Sequence, residues 1–264
     1  YDRAHSNYCA NITPEERKEI ANIEKDVYGT RPGNGVPLRF RILRSGMNPS
    51  TKALVLQKTE GLMSGDPFNS EKSKLTKWVD IVLRIPFGVF RPPPVSRDSH
   101  VDEIRDYIRS TEEALHTSVY GHAEAKEQII QTLAKWISNP TSKGHVLGIH
   151  GPPGVGKSTL VKHIGKALGT PTITVPLGGA SDGAFLDGHS YVYAGSLPGA
   201  MVSAVSKSEC MNPVILMDEL DKVSASPKGA EIVNVLIHLT DPVQNTAFRD
   251  KYLGDVELDL SQAV

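Results

Sequence analysis

The stretch "HVLGIHGPPGVGKSTLVKHIGKALG", residues 145–169, limits the fold more than any other part of the chain. A short apolar run, read as a strand, enters a loop in which Gly151, Pro152, Pro153, Gly154, Val155 and Gly156 exclude a regular helix or strand interior. An amphipathic helix is expected directly afterwards, near 157–168. Strand, glycine turn and helix in that order open a parallel crossover, and parallel strands need cover on both faces. The fold class that follows is α/β.

The same alternation extends across the C-terminal part of the chain. Helices are expected near 101–117 and 123–138, then the "HVLGIH" strand and its helix, then the strand "TITVPL". A helix near 198–208, the strand "NPVILM" and a helix near 229–240 complete the pattern, which reads as a parallel sheet covered by helices. Upstream, "TPEERKEIANIEKD" carries a capping-box pattern, Thr13 followed by Glu16, with Pro14 at the first helical position. "RPGNGVPLRF" reads as a break and "STKALVLQKTEGLM" as a helix. In "SEKSKLTKWVDIVLRI" the residues Leu75, Trp78, Val79, Val82 and Leu83 share one helix face, an expected packing stripe. The three prolines of "RPPPVSRDSH" read as a linker. The expected division is a small helical segment over 1–91 and an α/β domain over 99–264.

The spacing of residues 151–158 fits G-x-x-x-x-G-K-[ST], and its setting between strand and helix is the one such a phosphate loop needs. Its backbone N–H groups can turn toward phosphate oxygens while the helix N-terminus adds a positive field. Lys157 is expected to reach the β- and γ-phosphates of ATP, Ser158 to ligate Mg²⁺, and Thr159 to follow in the first helical turn. "VILMDEL" supplies the complement: a parallel strand would deliver Asp218 and Glu219 beside the loop. Asp218 is expected to hold Mg²⁺ through water, and Glu219 to activate the attacking water. With Lys157, Glu219 carries the expected catalysis, an ATP hydrolysis rather than passive nucleotide holding.

Composition excludes other classes. The net charge is -1, although residues 1–98 carry 16 basic against 11 acidic side chains and the rest 13 against 19. That excess is too diffuse for a nucleic-acid patch, so neither nucleic acid nor an anionic membrane is an expected partner. Cys9 and Cys210 form no CxxC or Cys/His cluster, which points to a reducing, intracellular compartment, the cytoplasm first and a mitochondrion second. No apolar run approaches the roughly 18 residues of a membrane span. Tyr1 at the start, and a final "LDLSQAV" that reads as a strand just begun, mark an expected fragment of a longer protein.

With both nucleotide motifs go "VYGHAEAKEQI", "PLGGASDGAFLDGHSYVYAGSLPGA", "NPVILMDELDKVS" and "LTDPVQNTAFRDKYL". Together they resemble the Lon-type ATP-dependent proteases of the AAA+ class, over roughly residues 50–264. "LDGHSYVYAGS" and "CMNPVILMDELDKVS" are similar to a divergent Lon-like group of large DNA viruses and protists. The resemblance implies a P-loop AAA+ sheet, a homo-oligomeric ring, a hexamer, and unfolded or misfolded protein as substrate in protein quality control. It places Tyr120 and Gly121 near the adenine, and Tyr193-Ala194-Gly195 in a loop that projects into the ring's pore. A tyrosine ring there presses on any polypeptide, because its contact is mostly apolar area. Tyr191 is the weaker pore candidate. His122 is expected to be an ordinary first-turn helix residue and His150 a strand end. Trp136 is expected in the core, and Cys210 as a buried small residue.

Departures from the family pattern stand beside these matches. Ser190-Tyr191 and Ala200 occupy positions where Lon sequences carry arginines, and Ala194 replaces a larger aliphatic residue, which should weaken grip. No Ser–Lys dyad can be assigned in these residues, so peptide cleavage is not expected of this chain itself. An AAA+ remodeller without a protease domain would share every motif present. A nucleic-acid-directed motor is disfavoured by the near-neutral charge.

Overall fold

The computed structural model describes residues 12–29, 36–63, 70–139, 143, 145–193, 195–223 and 227–264. The chain divides into two compact units, Tyr1–Arg44 and Ser45–Val264.

The first unit holds helix α1 (Pro14–Gly29) and the short α2 (Leu38–Arg44). The capping box forms as expected. Glu16 Oε2 accepts from Thr13 N at 2.9 Å, and Thr13 Oγ1 accepts from Glu16 N at 3.3 Å. Helix α2 begins inside the stretch read as a break, because Pro37 ends the break and its carbonyl accepts from Phe40 and Arg41 N–H.

The second unit runs α3 (Pro49–Met63), α4 (Ser70–Arg84), α5 (Val101–Ser118), α6 (Ala123–Ser138) and α7 (Lys157–Leu168). There follow β1 (Thr172–Pro176), the one-turn α8 (Ala184–Asp187), α9 (Ala200–Ser208), β2 (Val214–Asp218), α10 (Pro227–Thr240) and a hairpin of β3 (Phe248–Arg249) with β4 (Glu257–Leu258). Strands β1 and β2 pair in parallel, from Thr172 opposite Val214 to Pro176 opposite Asp218. Helices α5, α6 and α7 pack Leu115, Leu133, Trp136, Leu160 and Ile164 into one core with Val214 of β2. The α4 stripe behaves as its spacing requires, with Trp78, Val79 and Val82 at most 1% exposed.

One expectation changes. Residues 145–150 make no strand ladder, although they alternate half-buried and exposed and pack Leu147 and Ile149 on the core. On β2 the N–H of Val214 donates to Pro171 O toward β1, while Ile215 N donates to Val264 O at 2.7 Å on the opposite edge. That second edge is therefore occupied by Val264, and residues 145–150 pair with neither β1 nor β2. By its internal contacts the second compact unit begins at Ser45, upstream of the proline run. Residues 89–91 are hydrogen-bonded to the loop before β2: Met211 N donates to Val89 O at 2.8 Å, and Asn212 bonds both ways with the Arg91 backbone. Trp78 Nε1 donates to Tyr252 O at 3.2 Å. The prolines lie along the α/β surface instead of spanning free space.

Candidate functional site

The loop ahead of α7 turns through two left-handed glycines, Gly154 (φ 79°) and Gly156 (φ 90°), a conformation costly for other residues. A Cβ at Gly156 would come within 3.1 Å of Val119 Cγ1, whereas one at Gly154 would meet open space. Lys157 opens α7, and its ammonium donates to the carbonyls of Gly151 and Pro152, each at 2.8 Å. The cation thus lies across the mouth of its own loop, at the positive end of a helix. Ser158 and Thr159 are exposed on the first turn, beside the half-buried Gly151 and Val155 and the exposed Pro152 and Pro153.

Strand β2 ends at Asp218, whose Oδ1 accepts from Glu219 N at 2.9 Å. Glu219 is left-handed at φ 61°, an uncommon conformation for a residue bearing a Cβ. Its carboxylate meets Lys222 Nζ at 2.5 Å, and this hydrogen bond raises the lysine's pKa above its ordinary value. A Cβ at Gly178 would fall 2.1 Å from Glu219 Oε2, so a side chain there would make that carboxylate shift from its present position at the exit of β1. Leu177 N donates to Asp218 O at 2.8 Å and fastens the two strand ends together.

A third segment borders the loop. Tyr120 is 100% exposed, and both Gly121 (φ 72°) and His122 (φ 54°) are left-handed. His122 is therefore the N-cap of α6 and not an ordinary first-turn residue; its Nε2 lies 3.1 Å from Val155 O in the phosphate loop. Lys126, 3% exposed, donates its ammonium to Val119 O at 2.5 Å. Sequence reasoning missed Lys126, because an α6 lysine gives no sign of pointing inward. It missed Lys222 as well, although the i, i+3 spacing from Glu219 signals that pair.

The tyrosine loop is narrow at its base, where His189 N donates to Leu197 O at 3.2 Å and Ser196 Oγ to Ser190 O at 2.6 Å. At its tip Tyr193 is 71% exposed and Val192 76%, and Gly195 is left-handed. Ala194 lies outside the described residues. Tyr191 packs edge-on against Tyr252, ring centroids 5.7 Å apart, and so differs from its neighbour. A cavity of about 590 Å³ flanks the loop between β1 and α9 and includes Tyr193 in its wall. His150 is exposed and Cys210 is a buried free thiol.

Among the described residues no three His, Cys, Asp or Glu side chains gather as a metal site. Ser158 and Asp218 nevertheless offer hard oxygen donors of the kind Mg²⁺ takes alongside phosphate oxygens. No helix among the described residues is long and apolar enough to cross a membrane.

A parallel α/β core carrying a glycine loop on one helix N-terminus and an Asp–Glu pair on a strand end defines a P-loop ATPase domain of the AAA+ class. In agreement, residues 147–256 match the ATPase family associated with various cellular activities (AAA). The chain is 36% identical over 222 residues to a Lon protease homolog of Acanthamoeba polyphaga mimivirus, covering 81% of this chain and 21% of that protein. It is 35% identical over 247 residues to a Lon protease of Fusobacterium nucleatum (93% and 30%). With a Lon protease of Mycolicibacterium smegmatis it shares 32% over 261 residues (94% and 32%). Residues 147–256 are thus an AAA ATPase domain, the likeness over most of the chain is to Lon proteases, and the chain spans between a fifth and a third of the length of these relatives.

Proposed function

We propose that this chain binds ATP with Mg²⁺ and hydrolyses it, and that a homo-oligomeric ring of such subunits, a hexamer by resemblance, uses the cycle to thread unfolded protein past Tyr193. In the whole protein the thread would lead to a Lon-like serine protease domain outside these residues. The observation that carries the reading is Lys157 lying over a left-handed glycine loop at the start of α7, with Asp218 and Glu219 at the end of a strand in the same core.

ATP with its metal would supply the phosphoryl group and a concentrated positive charge. Lys157 exchanges the carbonyls of Gly151 and Pro152 for phosphate oxygens, joined by N–H groups of the loop from Gly151 to Gly156. Ser158 would ligate the metal through its hydroxyl, and Asp218 would hold it through water. Glu219 leaves Lys222 and accepts a proton from the attacking water. Tyr120 and Gly121, on the turn pinned by Lys126, border the base. Most of the acceleration then comes from positioning and charge stabilisation. At the loop tip, Tyr193 offers an exposed apolar ring that needs no particular sequence in its partner. The buried Cys210 thiol supports a reducing, cytoplasmic setting.

The test uses the full-length protein, with ATP turnover measured alone, with an unfolded protein and with DNA. Stimulation by unfolded protein and none by DNA is expected, and Tyr193→Ala should keep basal turnover while losing the stimulation. Stimulation by DNA alone would overturn the reading in favour of a nucleic-acid motor. Unfolded-protein processing that survives Tyr193→Ala would remove the pore role.

A further inference from the structure

Asp250 and Lys251 follow β3 directly, and each grips one end of the tyrosine loop. Asp250 is 0% exposed, and its Oδ2 accepts from Gly199 N at 2.8 Å, at the loop's far end. Its Oδ1 accepts from Tyr252 N at 2.8 Å and Leu253 N at 3.3 Å, which shapes the turn of the β3–β4 hairpin. Lys251 takes the near end. Its backbone N–H donates to Asp187 O at 2.6 Å and its ammonium pairs with Asp187 Oδ2 at 2.9 Å. The two ends cross in contact. A Cβ at Gly199 would stand 2.0 Å from Leu186 O, and one at Gly188 2.7 Å from Asp250 Oδ1, so only glycines allow the crossing.

We infer that Asp250 and Lys251 are positioning residues that clamp both ends of the tyrosine loop, so that Tyr193 bears load from a polypeptide instead of yielding to it. The inference rests on the proposed role of Tyr193. A buried carboxylate is costly unless its oxygens are well supplied with donors, and here three backbone N–H groups meet it, one of them from the loop. The hairpin that carries the clamp is itself anchored. Trp78 donates to Tyr252 O, and the chain beyond β4 runs to Val264, which bonds β2, the strand that ends in Asp218. Force on the loop is thereby passed to the sheet of the nucleotide site through hydrogen-bonded backbone.

Asp250→Asn in the full-length protein separates the strap from the hairpin turn. The amide oxygen keeps the Tyr252 and Leu253 bonds, while its NH₂ faces the Gly199 N–H, donor against donor. Amide exchange over residues 188–199 should then quicken roughly 10- to 100-fold, the factor set by losing one charge-assisted hydrogen bond, with β1 and β2 unchanged. Basal ATP turnover should hold, and the KM for an unfolded protein should rise about tenfold or more. Lys251→Ala should act in the same direction and Lys251→Arg should restore the parent behaviour, a rescue that a merely structural role does not require. Unchanged exchange and an unchanged KM in Asp250→Asn and Lys251→Ala, in a protein whose Tyr193→Ala variant has lost processing, would overturn the clamp and leave the pore loop standing. If Tyr193→Ala processes normally, the pore reading fails first, and the exchange measurement alone still decides whether the clamp exists.

Discussion

Replacing Trp78 with alanine removes the largest fully buried side chain among the described residues. A buried tryptophan takes about 150–250 Å² out of water, and at ~25 cal/mol per Å² that is roughly 4–6 kcal/mol of transfer free energy. Its indole N–H donates to Tyr252 O across 174 residues of sequence, and leaving that carbonyl unpaired costs about 1 kcal/mol more. Lys58 Nζ, 4.4 Å above the ring centroid, loses a contact worth about 0.5 kcal/mol. Alanine keeps part of the apolar surface and the site relaxes, so the expected net loss is about 3–5 kcal/mol, the usual range for such truncations. For a unit of this size that lowers Tm by about 10 °C, while Trp78→Phe, which mainly loses the hydrogen bond, costs about 2 kcal/mol. Urea unfolding followed by circular dichroism, with m unchanged, measures both variants. An alanine variant within 1 kcal/mol of the parent would refute the reasoning, because it would mean that α4 is not held to the β3–β4 hairpin by this side chain.

Burial pushes the Asp250 carboxyl up from 3.8 to about 6 against the pull of the Gly199, Tyr252 and Leu253 N–H groups, with the nearby Asp187 charge adding to the rise. Between about pH 4 and 6 the folded chain keeps a proton that the unfolded chain has released. The stability this group contributes is therefore complete below about pH 4 and lost as pH rises through 6, about 3 kcal/mol in all. The urea midpoint should fall over that window, and Asp250→Asn should flatten the fall; an identical slope in both proteins contradicts the assignment. Lys157→Ala should abolish ATP binding in a fluorescent-nucleotide titration. Glu219→Gln should bind normally yet lose turnover by roughly 10²–10⁴, so normal hydrolysis by that variant would remove Glu219 as the water-activating base. Lys126→Met should lower stability by about 1–3 kcal/mol by stranding the Val119 carbonyl, and weaken nucleotide binding through the 119–122 turn, both read from thermal melts with and without ATP.

What could be read from the sequence follows the range of the interactions. Helix α7 begins and ends at the residues expected, because a glycine loop, an amphipathic repeat and a closing Gly169 are all local signals. The α4 stripe was legible for the same reason. The missing ladder at 145–150 was not, since strand assignment depends on a neighbour that no periodicity supplies. The loop clamp was equally hidden. Gly199 and Asp250 are 51 residues apart, and a density of glycines around 186–200 indicates a turn without naming what crosses it.

Backbone strain gives the site a mark that sequence could not. Among the described residues three non-glycines have positive φ: His122, Glu209 and Glu219. Glu209 closes the C-terminus of α9, where a left-handed residue satisfies helix carbonyls and is ordinary. The other two serve no such end. His122 opens α6 without a side-chain cap bond and reaches the phosphate loop, and Glu219 ends β2 beside Asp218. Each costs on the order of 1–2 kcal/mol; His122 Nε2 meets Val155 O, and Glu219 is bonded to Asp218 Oδ1 through its N–H and to Lys222 through its carboxylate. Strain thus falls on two of the three segments that border the candidate nucleotide site, where the left-handed residues are kept at the expense of the fold's own stability.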